Sequence, residues 1–187
     1  IIFTNKNILK IQEKEMREIR KNDISMIFQE PMRSLNPIMN IYSQIKESFV
    51  NKINKNLTEK ILNLLVSVGI HDAERVINLY PHQLSGGMKQ RIMIAMAIAC
   101  KPKLLIADEP TTSLDVTIQK QVLDLLLELK EKLNMSILFI THDLAVASQI
   151  SDRIIVMKDG KIIENSLSKN FFTSPENSYS KELLKSS

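Results

Sequence analysis

Residues 104–110 read Leu-Leu-Ile-Ala-Asp-Glu-Pro, and they give the clearest indication of the fold in the sequence. Four apolar residues followed by two acids and a proline predict a short buried strand that delivers Asp108-Glu109 at its end. A second apolar run, Ser136–Ile140, follows the amphipathic segment Val116–Leu133. A strand, a helix and a strand in this order predict an α/β fold with a mainly parallel sheet.

The segment before this core has a different pattern. Residues 24–28 form a short apolar run that predicts another strand. In residues 39–80, apolar side chains recur at helical spacing, which predicts helices over 39–53 and 58–68 and a shorter one over 72–78. We therefore expect a small helical insertion ahead of the α/β core.

The segment after the core contains a hairpin signal and a polar tail. Asp159-Gly160 separates two short apolar runs, which predicts a two-residue β-hairpin. Residues 143–150 are expected to form a helix. From Ser166 onward, the chain is rich in serine, asparagine and lysine, and we expect it to be loosely ordered, with the apolar residues Phe171, Phe172, Leu183 and Leu184 able to dock.

Composition limits the class of protein. The 187 residues suit one domain or a large part of one, and 44% hydrophobic with 25% charged residues allow a packed core. The 25 basic residues are interleaved with 21 acidic ones, so the net charge of +4 predicts no nucleic-acid-binding surface. The longest apolar run, Ile92–Cys100, is shorter than the roughly 20 residues of a membrane-spanning helix. The single cysteine fits a reducing compartment.

Three residues at the ends of the core strands have catalytic chemistry. Asp108 and Glu109 follow the first strand, where α/β sheets bind their ligands. Two acids there suit phosphoryl transfer, since one can serve a Mg²⁺ ion and the other can orient water. His142 follows the second strand and lies beside these acids if the two strands are neighbours. An ordinary acidic loop and a surface histidine remain the alternatives.

A glycine pair opens the longest apolar helix, predicted over residues 88–100. The octet Leu84–Arg91 reads Leu-Ser-Gly-Gly-Met-Lys-Gln-Arg. Ser85 occupies an N-cap position, and Gly86-Gly87 let backbone N–H groups approach an anion. A turn that merely starts a helix is the alternative. Gln29, at the end of the run 24–28, is a weaker candidate for contact with Mg²⁺ or water.

Together these motifs resemble the ATP-binding-cassette (ABC) ATPases, and specifically those of oligopeptide and dipeptide importers. The resemblance identifies a Q-loop, a signature motif, a Walker B strand, a D-loop and a switch histidine. In that order they are Gln29, Leu84–Arg91, Leu104–Asp108 with Glu109 after it, Ser113-Leu114-Asp115, and His142. The subfamily resemblance rests on Ser25–Met32, Ser34–Pro37, Ala107–Thr112, Asp115–Gln119 and Ile140–Leu144.

The resemblance implies a partial P-loop NTPase fold with an inserted helical subdomain, and a dimer that encloses two ATP molecules. Asp108 and Gln29 are expected to bind Mg²⁺, Glu109 to polarise water, and His142 to steady the γ-phosphate. Asp115 is expected to cross the dimer interface. The residues expected to bind the ATP held by the partner are Ser85, Gly86, Gly87 and Gln90.

The resemblance also implies partners and a subdivision of the chain. The expected partners are a second ABC ATPase subunit, identical or different, transmembrane permease subunits, and indirectly an extracytoplasmic peptide-binding protein, at the cytoplasmic face of the membrane. No nucleic-acid partner is expected. The expected divisions are a core remnant ending in the Q-loop (1–30), a helical subdomain (31–84), the signature helix with the catalytic core (85–165), and a tail (166–187).

One family motif is absent from these 187 residues. A P-loop needs G-x-x-x-x-G-K-[ST], and the glycines at 69, 86, 87 and 160 do not fit that spacing. We therefore expect a chain truncated before the Q-loop that hydrolyses little ATP by itself. Smaller departures from the peptide-importer pattern occur at Arg33, Ser113, Asn165-Ser166 and Asn177-Ser178-Tyr179.

Two other functions remain open from sequence. One is an inactive cassette fragment that acts as a permease-binding or regulatory module. The other is a non-transport ABC ATPase of the DNA-repair or translation type. The repair type needs a long coiled-coil insertion between Gln29 and Leu84, where only 54 residues intervene without sustained heptads. The translation type carries a second cassette in the same chain.

Overall fold

The computed structural model describes residues 1–29, 35–49, 56–112 and 114–185. The chain forms two compact units, Ile1–Leu138 and Phe139–Ser187. The elements of the first unit, in chain order, are β1 (Ile2–Phe3), β2 (Lys6–Asn7), α1 (Glu13–Asn22), β3 (Ile24–Ile27), α2 (Ile41–Ser48), α3 (Leu57–Ser67), α4 (Ala73–Val76), a 3₁₀ turn (Pro81–Gln83), α5 (Gly86–Ile98), β4 (Leu104–Asp108), α6 (Val116–Leu133) and β5 (Ser136–Ile140), whose last two residues belong to the second unit.

The sheet of the first unit confirms the predicted α/β core. Its strand order is β3-β4-β5, and β3 runs parallel to β4 with Ile24 opposite Leu104 and Ile27 opposite Ala107. Along β4, Leu105 and Ala107 are fully buried, whereas Leu104 and Ile106 are only half-buried. The strand was predicted to be buried throughout, so within the described residues one face of β4 is covered less than expected.

The predicted helical insertion is present. Ile41 and Ile45 of α2, and Ile61 and Leu65 of α3, are fully buried, which matches their helical spacing. Helix α3 ends before Gly69, whose φ of +79° favours glycine. The second part of the predicted helix over 39–53 is not established, because α2 ends at Ser48 and residues 50–55 lie outside the described residues.

Helix α5 begins two residues earlier than predicted. Ser85 caps it, since its Oγ accepts a hydrogen bond from the Met88 N–H at 3.3 Å, and Gly86 and Gly87 form its first turn. Cap geometry thus outweighs the poor helix propensity of two glycines. The chain start also differs from expectation, because β1 and β2 form a hairpin whose turn residues, Thr4 and Asn5, have positive φ.

The second unit contains α7 (Leu144–Ile150), β6 (Arg153–Lys158), β7 (Lys161–Leu167), α8 (Ser168–Thr173) and α9 (Ser178–Lys185). Strands β6 and β7 pair antiparallel around Asp159-Gly160, which confirms the predicted hairpin. Phe171 is fully buried against Ile154 and Val156, so its predicted docking is also confirmed.

The expectation of a loosely ordered tail is wrong. Residues 168–173 and 178–185 are helical, and a buried carboxylate anchors the second helix. Both Glu164 oxygens accept backbone hydrogen bonds at 3.1 Å, from the N–H groups of Glu176 and Asn177 just ahead of α9. Burial raises the pKa of Glu164, but the Ser180 hydroxyl, those two N–H groups and the Lys181 charge outweigh it and lower the pKa below its ordinary value.

Within the described residues, none of the helices combines the length and the apolar character needed to cross a membrane.

Candidate functional site

The parallel pairing of β3 and β4 brings Gln29 beside Glu109. Because Ile27 lies opposite Ala107, Gln29 and Glu109, each two positions beyond this pair, reach the same edge of the sheet. The Gln29 amide nitrogen Nε2 donates a hydrogen bond to Glu109 Oε2 at 2.7 Å, across 80 residues of sequence. Gln29 was the weakest candidate from sequence alone, and this contact makes it part of the site.

The acidic loop, defined here as residues 108–112, holds the Glu109 carboxylate from a second side. Thr112 Oγ1 donates a hydrogen bond to the same Oε2 atom at 2.9 Å. Glu109 has a φ of +45°, an uncommon conformation for a residue with a Cβ, and its carbonyl accepts a hydrogen bond from the Thr112 N–H. Thr112 had no predicted role, although its position three residues after Glu109 suits such a turn.

Asp108 and Gln29 fit Mg²⁺ by the chemistry of their donor atoms. Asp108 ends β4 as a half-buried carboxylate, and with Nε2 of Gln29 engaged by Glu109, the amide oxygen is the Gln29 atom left to bind a cation. The described ranges contain no group of three or more His, Cys, Asp or Glu side chains able to hold a metal ion. Mg²⁺ does not require one, because it is typically held by one or two carboxylates together with water and phosphate oxygens.

The signature turn, defined here as Ser85-Gly86-Gly87, presents its first glycine to open space. A Cβ added to Gly86 would meet no atom within 4 Å, so no packing within the chain demands glycine there. A Cβ on Gly87 would lie 3.1 Å from Ile118 Cγ2. The N–H groups at the start of a helix lack intrahelical acceptors and favour anions.

Gln90 lies apart from the exposed Ser85. Its side chain is fully buried, and its Nε2 donates to the Pro110 carbonyl at 2.5 Å. Its predicted contact with nucleotide stays a prediction, but the side chain points into the first unit.

Asp115 is exposed and caps α6, with its Oδ1 accepting from the Ile118 N–H at 3.0 Å. The predicted passage of Asp115 across an interface stays untested. Ser113 of the same motif and residues 30–34 of the Q-loop region lie outside the described residues.

His142 belongs to the second unit and is exposed. The following residue, Asp143, caps α7 with Oδ1, which accepts from the Ala145 and Val146 N–H groups at 2.8 and 3.1 Å. The Asp143 N–H in turn donates to Thr141 Oγ1 at 3.0 Å. These bonds hold the backbone around His142. Its expected place beside Glu109 stays a prediction, because the two residues belong to different units.

Comparison with known proteins gives a consistent picture. The family model described as ABC transporter matches residues 1–112. The dipeptide transport ATP-binding protein DppD of Haemophilus influenzae is 51% identical over 187 residues, which cover 98% of this chain and 57% of that protein. The oligopeptide transport ATP-binding protein AppD of Bacillus subtilis is 50% identical over 189 residues, which cover 100% of this chain and 58% of that protein. The chain thus spans little more than half the length of these relatives.

Solved structures show the same fold. CbiO1 from Clostridium perfringens, part of the ABC transporter complex cbiONQ, matches with a TM-score of 0.81 and 29% identity, covering 92% of this chain and 67% of that one. The ATP-binding cassette MJ0796, solved as a dimer in a post-hydrolysis state bound to ADP and Pi, matches with a TM-score of 0.74 and 27% identity, covering 89% and 72%.

Proposed function

Because the chain belongs to the ABC transporter family, we propose that it is an ATP-binding and ATP-hydrolysing subunit that energises an importer of dipeptides or oligopeptides. The relatives at about half identity are named for dipeptide and oligopeptide transport, which supports this substrate class over a non-transport ATPase. The proposal of ATP hydrolysis is supported most directly by the Glu109 carboxylate, which Gln29 and Thr112 hold at the end of β4.

The acidic loop supports in-line attack of water on the γ-phosphate. Glu109 accepts two hydrogen bonds on Oε2, which orient its carboxylate to take a proton from water. Asp108 and the Gln29 amide oxygen would hold Mg²⁺, which supplies charge neutralisation to the phosphates when bound. His142 would steady the γ-phosphate through a hydrogen bond.

The signature turn supports a site shared between two subunits. Its exposed Ser85 and open Gly86 would bind the γ-phosphate of ATP held by a second cassette, of the same or another kind, with Asp115 crossing the interface. The solved cassette MJ0796 is a dimer with ADP and Pi, which supports this arrangement. In this proposal the helical subdomain expected over residues 31–84 would receive a transmembrane permease, and the subunit would act at the cytoplasmic face of the membrane.

The shared site is testable with a mixed dimer of this chain and a complete cassette subunit of a dipeptide importer. Replacing Ser85 with arginine fills the phosphate-binding turn, so the ATPase rate of the mixed dimer should fall by about 100-fold or more, the range of losses when a transition-state donor is removed. The rate of ATP hydrolysis by the purified mixed dimer checks this.

The matched control is Ser136→Arg. Ser136 is exposed, and its N–H donates to the Lys103 carbonyl, which places it at the edge of the sheet opposite Asp108. This variant should retain the rate. Equal rates for the wild-type and Ser85→Arg mixed dimers would refute the shared site, whereas binding to a permease without any hydrolysis would instead favour a regulatory module.

A further inference from the structure

A buried hydrogen bond ties the start of α5 to the acidic loop of the same chain. Gln90 lies one turn into α5 and is fully buried, and its Nε2 donates to the carbonyl of Pro110, the residue after Glu109. Gln90 lies on the same helix as the signature turn. If the Pro110 carbonyl moves, the Gln90 side chain that is bound to it can therefore displace the start of the helix.

The stability of the fold does not by itself account for a glutamine at this position. Oε1 of Gln90 is buried and has no hydrogen-bond partner among the described residues. An unpaired buried acceptor lowers stability, and a methionine of similar volume would avoid that loss. Among the described residues, the side chain therefore contributes a donor while its acceptor has no partner.

A second close approach relates the signature turn to the first turn of helix α6. The Gly87 backbone lies so close to Ile118 that an added Cβ would be 3.1 Å from Cγ2. The Ile118 N–H is bound by the Asp115 side chain. The first turns of α5 thus bind the Pro110 carbonyl through Gln90 and lie close to Ile118 of α6 through Gly87.

We propose that Gln90 is a positioning residue that couples the signature turn to the acidic loop. A change in the hydrogen bonding of Glu109 then alters the turn that serves the nucleotide of a neighbouring subunit. The link between two nucleotide sites rests on the proposed function, whereas the coupling within one chain does not.

The test measures backbone amide hydrogen exchange in residues 86–89 of the purified 187-residue chain without nucleotide. Thr112→Val removes a donor to Glu109 and serves as the perturbation. In the wild-type background it should change the exchange rate by about threefold or more, a coupling typical of one hydrogen-bond network. In the Gln90→Met background the same substitution should leave the rate unchanged.

The control for loss of a buried glutamine is Gln44→Met. Gln44 is also buried, and its side-chain hydrogen bonds join it to the backbone of Asn36 and Met39, neither of which belongs to the acidic loop. The response to Thr112→Val should persist in this background. If Gln90→Met does not fold, Gln90→Leu replaces it.

Three results would overturn the coupling: no response to Thr112→Val in the wild type, an equal response in the Gln90→Met background, or loss of the response in Gln44→Met. The readout needs no ATP. A positive result together with a mixed dimer indifferent to Ser85→Arg would therefore refute the shared nucleotide site of the proposed function and leave the coupling intact.

Discussion

At the scale of single residues, Glu109 and Thr112 show how the chain fixes a candidate catalytic carboxylate. The backbone of Glu109 adopts a left-handed conformation that costs on the order of 1–2 kcal/mol for a residue with a Cβ. The Gln29 and Thr112 side chains then donate to one carboxylate oxygen. Local sequence predicts the acidic pair, but the Gln29 contact spans 80 residues and follows only from the β3–β4 register.

Gly69 offers a stability prediction at this scale. Its φ is +79°, and a Cβ there would lie 2.5 Å from Nη1 of Arg91, which donates to the Val68 carbonyl. Gly69→Ala should therefore lower the free energy of unfolding by about 2 kcal/mol, from backbone strain and displacement of the guanidinium. Urea unfolding of the purified chain measures the difference.

Gly86→Ala is the matched control, since the added methyl group meets nothing within 4 Å. Its free energy of unfolding should be unchanged or higher than that of wild type by up to about 1 kcal/mol, because alanine favours the helix more than glycine does. Equal free energies of unfolding for the two variants would contradict both the strain expected at Gly69 and the close position of the Arg91 guanidinium.

At the scale of elements, a helix or strand is predicted accurately when the residues that start it, end it and form its apolar face lie within its own sequence. Helix α6 spans the predicted residues 116–133, because its apolar stripe is bounded by an Asp115 cap and by Asn134 in the left-handed conformation. The hairpin β1–β2 and the fold of the tail were missed. The hairpin depends on a two-residue turn with positive φ, and the tail is held by the burial of Phe171 and Glu164.

Glu164 gives the prediction for an element. Its two carboxylate oxygens accept hydrogen bonds from the N–H groups of Glu176 and Asn177 ahead of α9. Because glutamine has no charge and only one oxygen, we expect Glu164→Gln to lower the free energy of unfolding by about 1–3 kcal/mol at neutral pH. Urea unfolding of the wild-type chain and the variant, followed by circular dichroism, checks the size of this loss.

The same carboxylate predicts the pH dependence. Its pKa in the folded chain is lowered from the ordinary 4.5, so its contribution is present above that value and is lost as the pH falls through the lowered pKa. Wild type should lose stability over that range relative to Glu164→Gln. Parallel stability curves for the two proteins would contradict the assignment.

At the scale of the whole molecule, the sequence motifs predicted the family and the α/β fold, whereas the assembly lies beyond one chain. Asp108, Glu109 and Gln29 meet at one edge of the sheet because two parallel strands end there. The signature turn is exposed, and packing within the chain leaves Gly86 open. The proposed nucleotide pocket, completed by a second subunit, requires an exposed turn able to bind an anion and a separate acidic loop.

The most direct test is an experimental structure of this chain with a complete dipeptide-importer cassette subunit, trapped with ATP. We predict that Ser85 Oγ and the N–H groups of the signature turn lie about 3 Å from the terminal phosphate of the ATP bound to the other subunit. A structure in which the signature turn faces solvent, or in which that phosphate is bound by its own subunit alone, would contradict the account.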